Sequence, residues 1–191
     1  MKMTGQRQLS AKPAVVWAKL NDVDVLRRCI PGCESLERVG DNALKAVAAV
    51  KVGPMAVRFT GDVELSDLDP PNGYRISGKG SGGAAGMASG GATVKLAPSE
   101  GGTLLSYDVD ANVGGKIAQL GQRLIDATAA QMAEKFFTSF AAEVEGPVAV
   151  GGDTDAPSIA RDRGLAGGTS SVVWWVGGAL LLAIGIYLLA F

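Results

Sequence analysis

Alternation of apolar and polar residues is the feature that most limits how this chain can fold. In residues 58–65 every second residue is apolar or glycine, from Phe59 to Leu65, and the residues between them are polar or charged. The same period of two recurs in four other runs, residues 44–52, 74–81, 92–96 and 105–111. Successive side chains of a β-strand point to opposite faces, so this period predicts strands with one buried and one solvated face.

Turn-forming sequences separate these runs, which indicates how the strands are connected. The turns are Gly53-Pro54, Pro70-Pro71-Asn72-Gly73 and Glu100-Gly101-Gly102. Residues 3–9 and 34–39 are two weaker strand candidates. Seven strands at this spacing, with few helices between them, predict a curved antiparallel sheet with one face exposed to water.

Helical patterns occur at two places. Residues 13–20 and 23–29 form a short pair, with Ser10 as the predicted N-cap. A long amphipathic helix is predicted from about Gly115 to Glu143, because apolar positions recur there every three or four residues: Ile117, Leu120, Leu124, Thr128, Met132, Phe136 and Phe140. A long C-terminal helix against a bent antiparallel sheet is the helix-grip arrangement, an α+β fold.

The predicted inner face of the sheet is poor in bulky side chains. Seven of its twenty positions are Gly or Ala: Ala46, Ala48, Gly61, Gly78, Gly80, Ala92 and Ala111. Protein interiors are close-packed, so either the helix lies very close to the sheet or an apolar cavity remains. Both alternatives stay open. If there is a cavity, its predicted ligand-binding residues are Phe59, Tyr74, Ile76, Tyr107, Leu120, Leu124, Met132 and Phe136, with Trp17 and Leu20 closing one end.

The residue types that catalysis usually requires are scarce. The sequence has no histidine, which removes the usual general base and the commonest metal ligand. Cys29 and Cys33 form one thiol pair with no second pair to complete a tetrahedral zinc site, and small packing residues at a helix end are the simpler interpretation. Alternation places the strand carboxylates on the outer face. We therefore predict no catalytic residue, no metal site and no covalent cofactor.

A glycine-rich run over residues 78–91 lacks the Gly-Lys-Ser/Thr ending and the following helix of a phosphate-binding loop. A flexible hairpin between two strands is the better interpretation. We predict that its segment from Gly82 to Gly91 is the loop through which a membrane ligand enters, with Met87 at the tip. A surface hairpin without a role is the alternative.

Residues 172–191 carry no charge and are long enough, at about 1.5 Å per residue, to cross the hydrocarbon core of a bilayer as a helix. Trp174 and Trp175 follow Val172 at its start, and Tyr187 lies near Phe191 at its end, as membrane interfaces favour. The predicted organisation is a helix-grip domain in residues 1–146, a flexible linker in residues 147–171 and a transmembrane helix in residues 172–191.

No basic region followed by an apolar run marks a signal peptide at the N-terminus. We therefore expect a single-pass protein of the inner (cytoplasmic) membrane, with its N-terminal domain in the cytoplasm. Residues 1–146 hold 16 Lys and Arg against 16 Asp and Glu, so no basic excess favours nucleic acid as a partner.

Eight short segments form a recognisable pattern: Pro13-x-x-Val16-Trp17, Leu20-x-Asp22, Cys29-Ile30-Pro31-Gly32-Cys33, Val52-Gly53-Pro54, Phe59-x-Gly61, Gly101-Gly102-Thr103-x-Leu105-x-Tyr107, Gly114-Gly115-x-Ile117-Ala118-x-Leu120-Gly121-x-Arg123 and Phe136-Phe137-x-x-Phe140. With these segments the chain resembles the carbon monoxide dehydrogenase G-subunit (CoxG) family of the START/Bet v 1-like (SRPBCC) superfamily, over roughly residues 1–145. The Pro-Gly-Cys segment and the segment from Gly114 to Arg123 are the more specific ones.

The resemblance implies a membrane-attached, non-catalytic accessory protein of an aerobic molybdenum-type CO dehydrogenase or a related oxidoreductase. It implies a soluble oxidoreductase as partner and a bound apolar molecule, menaquinone, ubiquinone or a lipid, that links the enzyme to the membrane quinone pool. The alternative is a ligand-free adaptor that docks the oxidoreductase at the membrane. A third interpretation, an enzyme of the cyclase or dehydratase kind, is disfavoured by the missing histidine.

Overall fold

The structure is a computed structural model that describes residues 1–146. Its strands are β1 (Lys2–Leu9), β2 (Cys33–Arg38), β3 (Ala43–Val52), β4 (Met55–Asp69), β5 (Gly73–Ser81), β6 (Met87–Ser99) and β7 (Gly102–Gly114). Its helices are α1 (Pro13–Leu20), α2 (Val23–Cys29) and α3 (Gln122–Val144), and 3₁₀ turns cover Gly83–Ala85 and Ala118–Leu120.

The seven strands form one antiparallel sheet in the order β1-β7-β6-β5-β4-β3-β2. From β2 to β7 each strand pairs with the next in the chain, and β1 joins at the β7 edge. The seven predicted strands and the helix-grip arrangement with a long C-terminal helix are confirmed. Strands β4, β6 and β7 are longer than the clean alternation indicated, because pairing with their neighbours continues beyond the apolar residues.

The period of two identified the inner face of the sheet correctly. Its twenty positions are buried except Gly78 and Gly80, which are half-buried. The intervening residues of the central strands are mostly exposed, and they include Asp62, Glu64 and Asp108. The core therefore lies on one side of the sheet, between the sheet and the three helices.

Helices α1 and α2 have the predicted bounds, but the predicted cap of α1 is wrong. Ser10 does not cap it; its Oγ donates a hydrogen bond to Glu145 at 2.7 Å, and the N-cap residue is Lys12, without a side-chain bond. Pro13 starts α1, where its fixed φ and missing N–H suit the first turn. Asp22 caps α2 instead, since Oδ1 accepts hydrogen bonds from the backbone N–H groups of Asp24 and Val25.

The start of the long helix also differs from the prediction. α3 begins at Gln122, seven positions after the expected Gly115. Gly115 has φ of 87° and Gly121 has φ of 92°, a left-handed conformation that interrupts a right-handed helix. The residues between them make a short 3₁₀ turn rather than the first turns of α3.

The predicted entrance loop is shorter than expected. β5 ends at Ser81 and β6 begins at Met87, so Gly82 lies in the connection and Gly91 does not. Gly91 lies within β6 and pairs with Ser77 of β5. The hairpin prediction holds, but its strands extend further toward the tip because glycine and serine still pair through their backbones.

Within residues 1–146, no helix combines the length and the apolar composition needed to cross a membrane. The predicted linker in residues 147–171 and the predicted transmembrane segment in residues 172–191 lie outside the described residues.

Candidate ligand-binding site

Aromatic side chains fill much of the space between the sheet and α3. The Phe136 and Phe140 rings are stacked with centroids 5.6 Å apart, and Phe137 meets Phe136 edge to face at 5.2 Å. From the sheet side Phe59 is 1 % exposed and Ile76 is 2 % exposed. The interior is thus a packed apolar region, and a ligand that entered it would displace side chains rather than fill an open channel.

Helix α1 covers the end of this interior where β5 begins. The Trp17 and Tyr74 rings meet edge to face, with centroids 5.2 Å apart and planes at 78°. Leu20, one turn after Trp17 on α1, is fully buried. Trp17 and Leu20 are both buried at this end of the interior, and their role in closing a ligand cavity stays a prediction.

Two polar atoms at this closed end have no hydrogen-bond partner among the described residues: Nε1 of Trp17 and Oδ1 of Asn21. Trp17 is 3 % exposed and Asn21 is 9 % exposed. The Asn21 amide nitrogen is satisfied, because it donates to the backbone oxygen of Trp17. A buried polar group without a partner costs about 1–3 kcal/mol, so a donor and an acceptor left in the core mark this end as able to receive a polar atom.

The apolar stripe predicted for α3 faces the core over only part of its length. Met132 and Phe136 are buried as predicted, whereas Leu120 and Leu124 are half-buried. Four-residue steps advance about 40° beyond a full turn each time, so a run of them moves off one face. The buried side chains of α3 instead mix steps of three, four and one: Ile125, Ala129, Met132, Ala133, Phe136, Phe137 and Phe140.

Phe137 was not among the predicted ligand-binding residues, yet it joins Tyr107 to α3. The two rings are stacked, with centroids 5.3 Å apart, and the Arg7 guanidinium lies 5.4 Å from the centroid of the Phe137 ring. Arg7 also forms an ion pair with Glu134 of α3. Burial raises the pKa of the Tyr107 phenol, which therefore stays neutral at physiological pH. The predicted stripe took mainly every fourth residue of the helix. A stripe that also included neighbouring apolar positions would have contained Phe137.

A cleft of about 560 Å³ runs along the outside of α2 and α3. It is bordered by Cys29, Ile30 and Pro31 on one side and by polar residues of α3, including Gln131 and Lys135, on the other. Burial raises the pKa of the Cys29 thiol to about 11 and also raises the pKa of Cys33. Both thiols are protonated at neutral pH and poorly nucleophilic. No three His, Cys, Asp or Glu side chains among residues 1–146 are grouped as a metal site.

A groove of about 630 Å³ lies on the other side of the sheet, beside the β5–β6 connection. Asp62, Lys79, Ser89 and Asn112 border it together with Met87. Met87 is 68 % exposed, an unusual position for a large apolar side chain.

Comparison of the fold with solved structures gives matches over the whole described region. The chain is 31 % identical to a conserved protein from Geobacillus kaustophilus, with a TM-score of 0.72, covering 76 % of this chain and 95 % of that one. It is 16 % identical to the Zhui aromatase/cyclase from Streptomyces sp. R1128, with a TM-score of 0.56, covering 80 % and 98 % of the two chains. It is 17 % identical to Ara h 8.0201, with a TM-score of 0.57, covering 77 % and 99 %. The last two likenesses concern the fold alone.

A comparison with curated protein sequences gives no significant match. The family model for the carbon monoxide dehydrogenase G-subunit (CoxG) matches residues 5–145, which is nearly all of the described region. The resemblance of the eight sequence segments is thereby confirmed: this chain belongs to the carbon monoxide dehydrogenase G-subunit (CoxG) family.

Proposed function

We propose that this chain is a membrane-anchored accessory protein that binds an apolar quinone or lipid between its sheet and α3. Membership of the CoxG family implies an accessory protein associated with CO dehydrogenase. The proposal goes further: the bound molecule links that enzyme, or a related oxidoreductase, to the membrane quinone pool. It assigns the chain no catalytic step.

The unpaired indole N–H of Trp17 is the observation that supports ligand binding best. It is a hydrogen-bond donor within the apolar core, and it has no acceptor among the described residues. A quinone or an ester lipid carries carbonyl oxygens at the end of a long apolar chain. Such a molecule would supply the missing acceptor and leave its apolar chain among side chains such as Phe59 and Met132, a combination typical of ligand pockets.

The aromatic side chains would have to move for the ligand to enter. Phe59 and Phe136 are buried in the same core cluster as Trp17, and the half-buried Leu124 packs against that cluster. Rotation of rings is less costly than movement of strands, because the sheet is paired along its full length. The chain's own contribution is to bind, orient and shield the apolar molecule from water.

Residues 172–191 serve as the membrane anchor in this proposal, and residues 147–171 serve as the tether. A tether of this length would hold the domain near the bilayer at an effective concentration of order mM. Removing residues 147–191 should leave a folded domain that no longer sediments with membranes. Aggregation or unfolding of the truncated protein would instead mean that the last segment belongs to the core.

Filling the interior tests ligand binding directly. Ala48 is fully buried on the inner face of β3, where it pairs with Phe59, and Ala49 beside it is exposed on the outer face. Ala48→Phe should abolish binding of a decyl-substituted benzoquinone, whereas Ala49→Phe should leave it intact. Circular dichroism and thermal melting would establish that both variants fold. Equal binding by the two folded variants would contradict an internal site.

The close aromatic packing favours one alternative, a ligand-free adaptor that docks the oxidoreductase at the membrane. Phe59, Phe136 and Phe140 are each at most 1 % exposed and leave little free space around them. An adaptor would recruit the oxidoreductase equally well with Ala48→Phe. A carrier would lose electron transfer to the membrane with Ala48→Phe while keeping the enzyme bound.

A further inference from the structure

Three connections meet at the end of the domain where α3 begins. They are the β3–β4 turn at Gly53, the β5–β6 connection at residues 82–86 and the segment at residues 115–121 that leads into α3. The backbone N–H of Ile117 donates to the oxygen of Ala85 at 3.0 Å. A Cβ added to Gly53 would lie 2.8 Å from Leu124, so the turn lies against the start of α3. We call this end of the domain the loop tip.

The loop tip is apolar at its surface. Met87 is 68 % exposed at the beginning of β6. Several apolar side chains on or beside these connections are only partly buried against the core: Met55, Ala85, Val113, Leu120 and Leu124. Met87 is more exposed than the other exposed large apolar side chains of the described region, Val39 at 60 % and Val15 at 44 %.

Basic side chains outnumber acidic ones at the loop tip. Three exposed cations lie there: Lys51 near the end of β3, Lys116 in the segment at residues 115–121 and Arg123 in the first turn of α3. The nearest acidic residues along the chain are Asp62 on β4, which borders the groove beside Met87, and Asp126, three residues after Arg123. None of the three cations forms an ion pair with another residue in the described range. They are therefore available to an anionic partner.

We propose that the loop tip is a docking surface for a bilayer rich in anionic phospholipid. Exposed apolar side chains with exposed cations at the same end of the domain match a surface of negative headgroups over an acyl interior. Each Lys or Arg near such a surface contributes about fivefold in binding, so three together contribute on the order of a hundredfold. Met87 adds an exposed apolar contact.

The position of the loop tip makes this contact separate from the proposed anchor. α3 has 23 residues and is therefore about 35 Å long, and the chain continues from its other end toward the linker. At about 3.3–3.6 Å per extended residue, residues 147–171 can span that distance about twice over. The domain can thus turn its loop tip to the bilayer in which it is anchored. This inference rests on the proposed function in one respect only, namely that the domain is held near a bilayer.

The test uses residues 1–146, without anchor or ligand. We expect this part to fold on its own. The match to the solved protein from Geobacillus kaustophilus covers 76 % of this chain but 95 % of that one, so that protein consists almost entirely of the matched region. Flotation would compare vesicles of phosphatidylcholine alone with vesicles in which one third of the lipid is phosphatidylglycerol. We expect the domain to float with the anionic vesicles, and we expect added salt to weaken that binding.

Matched charge reversals locate the surface. The triple variant Lys51→Glu, Lys116→Glu and Arg123→Glu should bind anionic vesicles at least about a hundredfold more weakly, because it removes three attracted charges and adds three repelled ones. The control triple variant is Lys12→Glu, Lys95→Glu and Lys135→Glu. It reverses three exposed lysines elsewhere on the domain, so its net charge changes by the same amount, and its affinity for anionic vesicles should fall less than tenfold. Equal losses in the two triples, or no flotation of the parent domain, would overturn the proposal.

Single variants keep the test decisive if the triple variant fails to fold. Lys116→Gln should weaken binding about fivefold, and Lys135→Gln should leave it within twofold. Met87→Asp should weaken binding to anionic vesicles beyond the loss from Lys116→Gln, since it removes an apolar contact and adds a repelled charge. Unchanged binding of folded Lys116→Gln and Met87→Asp would equally overturn it.

Discussion

Trp17 of α1 and Tyr74 of β5 meet edge to face, with ring centroids 5.2 Å apart. The contact fixes the short helix over one end of the sheet, and it holds an indole N–H in a core where no described residue accepts it. The same residue is thus both a packing element and the best candidate for contact with a ligand's polar atom. The two roles can be separated, because packing depends on the ring and ligand contact depends on the N–H.

Trp17→Phe keeps an aromatic ring and removes the donor. One neutral hydrogen bond contributes about 0.5–1.5 kcal/mol, so we expect the affinity for decyl-benzoquinone to fall about two- to tenfold. The measurement is the ligand-induced rise in melting temperature of parent and variant, which cancels the stability change of the free protein. Leu20→Val on the same helix, which removes only apolar volume, is the control. An equal ligand-induced rise in parent and Trp17→Phe would exclude Trp17 as donor.

Gly5→Ala should destabilise the domain by opening the contact between β1 and α3. A Cβ at Gly5 would lie 2.2 Å from Oη of Tyr107, so the tyrosine ring or the strand must move. Tyr107 is stacked on Phe137, and its displacement disturbs α3 as well. We expect a loss of about 1–3 kcal/mol in the free energy of unfolding, measured in urea. At Gly40 the nearest atom to an added Cβ is 3.4 Å away, so Gly40→Ala should change stability by less than about 0.5 kcal/mol.

The ion pair between Arg28 of α2 and Glu143 of α3 predicts a pH dependence of stability. Two hydrogen bonds of 2.7 and 2.9 Å join them, and the Arg28 guanidinium lowers the pKa of Glu143 below its ordinary value of 4.5. Because the folded pKa is depressed, the stabilisation is present above the unfolded pKa and is lost as pH falls through the folded pKa.

Arg28→Gln should therefore lower the melting temperature at neutral pH, and its difference from the parent should shrink once the pH falls below about 4. Arg27→Gln is the matched control, because the ion pair of Arg27 is with Asp24 of its own helix, at 3.4 Å, and does not join α2 to α3. A difference between parent and Arg28→Gln that stays constant from neutral to acidic pH would contradict the assigned pair.

Much of the fold could be predicted from the sequence because alternation is a strong signal. The inner face from Leu44 to Ala111 was identified almost residue by residue, since a strand has only two faces. The start of α3 could not be predicted in this way, because the positive φ of Gly115 and Gly121 depends on the neighbouring connections. Ser10 was wrongly predicted as the N-cap of α1. A serine hydroxyl that can cap a helix can also form a hydrogen bond with a residue far away in the sequence, and here it donates to Glu145.

The candidate site was predictable only in part, for a related reason. The strand residues and Trp17 lie in the interior as the pattern indicated, whereas Leu124 lies half-buried at its border. A helix presents many overlapping stripes, and only its contacts with the sheet decide which one is buried. The unpaired state of the Trp17 donor is a property of the packed core and has no signature in the sequence.

The most direct test of internal ligand binding is the ligand content of residues 1–146, produced in cells and purified without detergent. Organic-solvent extracts of this protein and of the matched Ala48→Phe variant would be analysed by mass spectrometry. We expect about one isoprenoid quinone or lipid per chain in the parent and almost none in Ala48→Phe. A folded parent domain that yields no apolar molecule, or yields only as much as the filled variant, would contradict an internal site.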